Sequence, residues 1–122
     1  MPDHLPTDIK LHQTSRVLEI AFENGQVFEL SCEYLRVYSP SAEVRGHSPE
    51  QAVLQIDKEE VNILEIEPMG NYAIKLVFDD GHNTGLYTWD YLYELGAYHD
   101  EFWQRYLAAL EATGHKHRED TD

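Results

Sequence analysis

Apolar and polar residues alternate along most of the first thirty positions, as they do in half-buried strands. IKLHQ (9–13) shows the pattern briefly. RVLEIAFE (16–23) repeats it, with Val17, Glu19 and Ala21 on one side and Leu18, Ile20 and Phe22 on the other. Asn24-Gly25 follows at once and predicts a hairpin, because a type I′ turn needs positive φ at both central residues. QVFELS (26–31) is then the return strand of a three-stranded meander.

The pattern changes at CEYLRVYSPSAEVRGHSPEQA (32–52). Ser31 or Cys32 can cap a helical turn or two that stops before Pro40. Two Ser-Pro steps and Gly46 then predict a loop of about a dozen residues, long for a compact domain. Strand character returns in VNILEIEPMG (61–70) and YAIKLVFDD (72–80), where Tyr72, Ile74, Leu76 and Phe78 oppose Ala73, Lys75 and Val77. GLYTW (85–89) closes a second hairpin. Asp90 can cap a short helix through Leu95 that ends at Gly96. In EFWQRYLAALEATG (101–114), Phe102, Trp103, Tyr106, Leu107 and Leu110 form one apolar stripe of an amphipathic helix. The expected fold is α+β, an antiparallel sheet built from hairpins with C-terminal helices packed on one face. Residues 1–113 read as a single domain and 114–122 as a polar tail.

Charge narrows the classes of partner. Nine Lys+Arg against 23 Asp+Glu give a formal net charge of −14. Such a surface repels nucleic-acid phosphates and anionic membranes, and favours cations or a basic protein. No apolar run approaches the roughly 20 residues that span a bilayer, and no basic, apolar leader opens the sequence. Cytoplasmic residence is the default expectation. Cys32 is the sole cysteine, which excludes an intramolecular disulfide and a Cys-rich zinc cluster.

Candidate chemistry is sparse. In DDGHNTG (79–85), Asp80-Gly81 is explained by turn geometry, and His82 by its position at the start of a strand. The functional alternative is that Asp79, Asp80 and His82 offer oxygen and imidazole ligands on one hairpin, with closure supplied from elsewhere. In SPSAEVRGHSP (39–49), Arg45 and His47, with Arg36 before them, stand out in a chain poor in basic residues. Arg forks pair carboxylates, so tethering to the protein's own acids ranks ahead of recognition of an external anion. The aromatic set containing Tyr72, Tyr87, Trp89, Tyr91, Tyr93 and Tyr106 reads mainly as core. His115 and His117 in the tail, and Pro2-Asp3-His4 as an amine–imidazole grip for Cu²⁺ or Ni²⁺, are minor chelate patterns. No phosphate loop or nucleophile elbow occurs.

LRVYSPSAEVRGH (35–47) together with EPMGNYAIKLVFDDGHNTGLYTWDYLYEL (67–95) resembles the gamma-butyrobetaine hydroxylase-like N-terminal domain family over roughly residues 8 to 98. In the family's eukaryotic hydroxylases this domain precedes a separate iron- and 2-oxoglutarate-dependent catalytic domain. There it holds zinc through three Cys after a Leu-Arg pair and one His on a later hairpin. Leu35-Arg36 and His82 match, whereas the Cys positions fall at Ser39, Ser41 and Val44, so the resemblance implies loss of that zinc site. Stand-alone bacterial members and a fusion to Mrp-type ATPases carrying iron–sulfur clusters imply an accessory role without catalysis.

The expectation is therefore a non-catalytic protein-interaction domain. Its partner class is an iron–sulfur carrier ATPase or another metalloenzyme. Arg36, Arg45, Tyr87 and Trp89 form its interaction set. The alternative is an Fe- or Zn-binding protein using His82, His47, Asp80 and Glu43. A third, weaker reading is an enzyme of unrecognised type built on the same two histidines.

Overall fold

The computed structural model describes residues 4–41 and 58–114. Two meanders dominate it. Strands β1 (Pro6–His12), β2 (Val17–Phe22) and β3 (Val27–Ser31) form one antiparallel sheet in sequence order. Strands β4 (Ile63–Met69), β5 (Ala73–Phe78) and β6 (Leu86–Thr88) form another. Helix α1 (Cys32–Val37) follows the first sheet, and α2 (Trp89–Ala97) and α3 (His99–Ala112) follow the second. The α+β class expected from the alternating pattern holds, with the hairpins divided between two sheets.

The alternation also selects the buried face. Leu18, Ile20 and Phe22 on β2, and Ile74, Leu76 and Phe78 on β5, are buried in one core with Leu35, Leu92 and Leu95. Burying a side chain of this size contributes about 1.5–3 kcal/mol, which makes this core the main source of stability. Helix α3 adds a smaller cluster in which Tyr106 and Leu110 meet Val37. The Tyr38 hydroxyl donates to the Phe102 carbonyl (2.7 Å) and the Tyr106 hydroxyl to Glu33 (2.7 Å), tying α3 to α1.

The two halves are built to one plan. Each first strand carries a register shift, between Pro6 and Asp8 in β1 and between Ile63 and Glu65 in β4. Phe22-Glu23-Asn24-Gly25-Gln26 and Phe78-Asp79-Asp80-Gly81-His82 then make the same turn. In each, the Phe N–H donates to the fifth residue's carbonyl (2.9 Å in both) and the Gly N–H donates to the Phe carbonyl. The Asn24 or Asp80 side chain accepts from the fifth residue's N–H, at 3.0 and 3.1 Å. Gly25 and Gly81 have φ of +89° and +91°. Asn24 is not in the left-handed region, so the first hairpin uses a three-residue loop ending in a left-handed glycine rather than the two-residue type I′ turn.

Both sheets run into a capped helix. Ser31 accepts from the Tyr34 N–H and Thr88 from the Tyr91 N–H. Thr88, the last residue of β6, thus takes the capping role expected of Asp90, two residues earlier. Helix α2 does not end at Gly96 but continues to Ala97, because glycine there serves packing: a Cβ would run into the Phe28 ring. The capped tyrosines cross between halves. The Tyr34 hydroxyl donates to the Leu95 carbonyl (2.7 Å), and the Tyr91 hydroxyl donates to the Tyr38 carbonyl (2.5 Å). Each therefore satisfies a carbonyl near the end of the opposite helix.

Candidate functional site

The end of α1 and the 78–82 turn come together at one corner of the molecule. Gly85 makes this approach close, since a Cβ there would strike the Ser39 hydroxyl. His82 is buried, and its Nε2 shares a hydrogen bond of 2.8 Å with Ser39 Oγ. Ser39 Oγ also accepts from the Ser41 N–H, and Ser41 Oγ bonds Thr84 Oγ1 at 2.6 Å. The family resemblance led to Ser39 and Ser41 as former ligand positions, and the structure brings both to the His82 hairpin. Val44 lies outside the described residues.

Asp80 anchors the charged part of this corner. Its Oδ2 accepts from Arg36 Nε at 2.8 Å and from Lys58 Nζ at 2.7 Å. Partial burial acts to raise its carboxyl, but hydrogen bonds from Lys58, the His82 backbone and Arg36 outweigh that and bring it down to about 2. Arg36, one of the interaction set, has a side chain only 9% exposed and is paired with Asp80 within the corner. Lys58 and Thr84 were not singled out by sequence; Lys58 belongs to no motif, Thr84 is an unremarked member of DDGHNTG, and only the folded corner gives them partners.

Among the described residues, no three His, Cys, Asp or Glu side chains converge as metal ligands would. Of the proposed metal set, Asp80 and His82 are neighbours here, while His47 and Glu43 lie outside the described residues. Of the interaction set, Arg45 also lies outside them. Tyr87 is 0% and Trp89 8% exposed, and both belong to the core. The Tyr87 hydroxyl donates to the Leu35 carbonyl, and Trp89 Nε1 to the Asn71 carbonyl. Neither ring can present itself to a partner.

The first half has an equivalent corner. There Asn24 Nδ2 donates to the Tyr93 hydroxyl at 2.9 Å, in the place of the Arg36–Asp80 pair. His4 covers it: its ring stacks on Tyr93 at 3.7 Å, and its N–H and Nδ1 both meet Asp90 Oδ1 at 3.1 Å. The imidazole suggested for a copper grip is thus held against α2. The matching FENGQ and FDDGH turns are the sequence signal that could have led to this corner. Cys32, the lone thiol, is buried, and burial pushes it up to about 11. Its Sγ lies 3.7 Å from Asn62 Oδ1.

Comparison with known proteins gives one family match: gamma-butyrobetaine hydroxylase-like, N-terminal, over residues 9–93. Among solved structures, an NMR solution structure has 55% identity and a TM-score of 0.78, covering 93% of this chain and 87% of that one. A second NMR solution structure has 47% identity and a TM-score of 0.81, covering 93% and 89%. A crystal structure of a protein of unknown function of the DUF971 family, from Acidithiobacillus ferrooxidans ATCC 23270, has 39% identity. Its TM-score is 0.61, with coverage of 75% of this chain and 92% of that one. No curated protein matches. No helix among the described residues is long and apolar enough to cross a membrane.

Proposed function

Because the chain belongs to the gamma-butyrobetaine hydroxylase-like N-terminal family, we propose that it acts as a non-catalytic protein-interaction domain. In this reading, the corner that resembles the family's metal site has become an internal clasp. The observation that carries it is the Ser39–His82 hydrogen bond: a hydroxyl sits where the family has a thiolate, and it engages the imidazole nitrogen that would otherwise face a metal. The neighbouring Asp80 is likewise occupied by two cations. The partner class is an iron–sulfur carrier ATPase or another metal-dependent enzyme, as the family resemblance implies.

The match of His82 to the family's ligand position favours a second reading, in which Fe or Zn is bound by His82 with His47, Asp80 and Glu43. Metal analysis of the untagged protein separates the two. The interaction reading expects metal well below one equivalent and unchanged by His82→Ala or His47→Ala. About one equivalent, lost on either substitution, would transfer the conclusion to the metal reading. Affinity capture from extract of the native cells, with quantification of the recovered protein, is the positive arm; no partner above background counts against the interaction role.

A further inference from the structure

Tyr98 joins α2 to α3 and is 56% exposed. Two adjoining surface cavities share Ala97 and Tyr98 in their walls. The larger, about 500 Å³, includes Tyr93, Asp90 and Glu94. The smaller, about 320 Å³, includes Asp100 and Glu101. All four acids are exposed, and neither wall contains a Lys or Arg. The last turn of α2, which ends at this junction, also lacks a basic residue.

We propose that this double cavity is a docking surface for a basic segment of a partner protein, with an Arg or Lys side chain in each half. Such a chain would stack its cationic head on the Tyr98 ring and reach Asp90 or Glu94 on one side and Asp100 or Glu101 on the other. His4 braces the larger half by holding Tyr93 and Asp90 in place. Glu101 pairs with Arg105 at 3.5 Å, but that pair is exposed and weak enough for a partner's Arg to displace. The net charge of −14 steers basic segments towards the chain and nucleic acid away from it. A bare metal ion does not suit the cavities, since they have side-chain dimensions and no three metal-type ligands converge among the described residues. The inference rests on the interaction reading and names the partner's chemistry.

The test is an NMR titration of the full chain with an amidated Arg-rich octapeptide, its Lys counterpart and a Glu-rich control. Saturable shifts confined to His4 and residues 90–101 are expected, with Arg binding more tightly than Lys and the Glu peptide giving none. Tyr98→Ala and Glu94→Gln should each weaken binding about threefold or more. Glu65→Gln, on the exposed side of β4, should leave it unchanged. Equal losses for Glu65→Gln and Glu94→Gln, or unchanged affinity for Tyr98→Ala, would reduce the effect to bulk charge and overturn the assignment. Concentration-dependent dimers abolished by Tyr98→Ala would overturn it too, giving the surface to a second copy. A captured partner that still binds the Tyr98→Ala protein would refute the docking surface alone. Absence of both partner and peptide binding would refute the interaction reading with it.

Discussion

At the residue scale, Asp80 concentrates the most consequence in one side chain. It supports its own turn through the His82 N–H and neutralises Arg36, whose Nη1 is buried without a hydrogen-bond partner among the described residues. Asp80→Asn should therefore cost about 2–3 kcal/mol in chemical denaturation, because it leaves a buried cation uncompensated. Arg36→Met together with Asp80→Asn should cost less than Asp80→Asn alone. The folded carboxyl lies below its unfolded value, so its contribution is complete above about pH 4. It is lost as the pH falls towards about 2. After solvent screening, that loss amounts to about 1 kcal/mol, absent in the Asn variant. Cys32 gives a second residue-scale prediction: native protein should react with an alkylating reagent far more slowly than urea-unfolded protein, since burial disfavours the thiolate. The Asp-Gly turn was legible locally. The partners of Asp80 and His82 were not, because Arg36 and Ser39 arrive from 44 and 43 residues away.

At the scale of elements, strand alternation and the apolar stripe of α3 predicted what they usually predict, because one buried face dictates spacing. Helix ends were harder to read. Thr88 and Asp90 are both good caps, and the choice between them depends on where β6 stops pairing with β5. Gly96 looked like a terminator, since its reason for being glycine is Phe28 on a distant strand. Gly96→Ala tests this directly. Intrinsic propensity alone would stabilise α2 by up to about 1 kcal/mol. The clash with Phe28 should instead produce a net loss of about 1–3 kcal/mol in thermal or urea unfolding. Phe28→Ala, itself destabilising, should cancel most of the further loss from Gly96→Ala, a coupling read from the double-mutant cycle.

At the scale of the whole molecule, the halves hold each other by exchange. Tyr34 serves the end of α2 and Tyr91 the end of α1. Tyr34→Phe and Tyr91→Phe should each cost about 1–3 kcal/mol, since each leaves a carbonyl without its donor. Hydrogen exchange should quicken at the end of the helix opposite the mutated tyrosine rather than around the mutation itself. The shared plan was only partly legible: FENGQ and FDDGH are alike on paper, but a neutral Asn24–Tyr93 contact replaces a charged Arg36–Asp80 pair, and sequence similarity fades outside the turns. What persists is the hydrogen-bond pattern, which composition does not record.

That exchange has a consequence for assembly. The two tyrosine exchanges, and the Arg36–Asp80 and Asn24–Tyr93 pairs, run from one unit's helix to the other unit's helix end or turn, so they can be made as well between two chains as within one. Refolding at high concentration should therefore yield a swapped dimer, in which the first half of each molecule completes the second half of its neighbour. It should elute at twice the monomer mass with an unchanged far-ultraviolet spectrum, and revert on dilution only as fast as the chain unfolds.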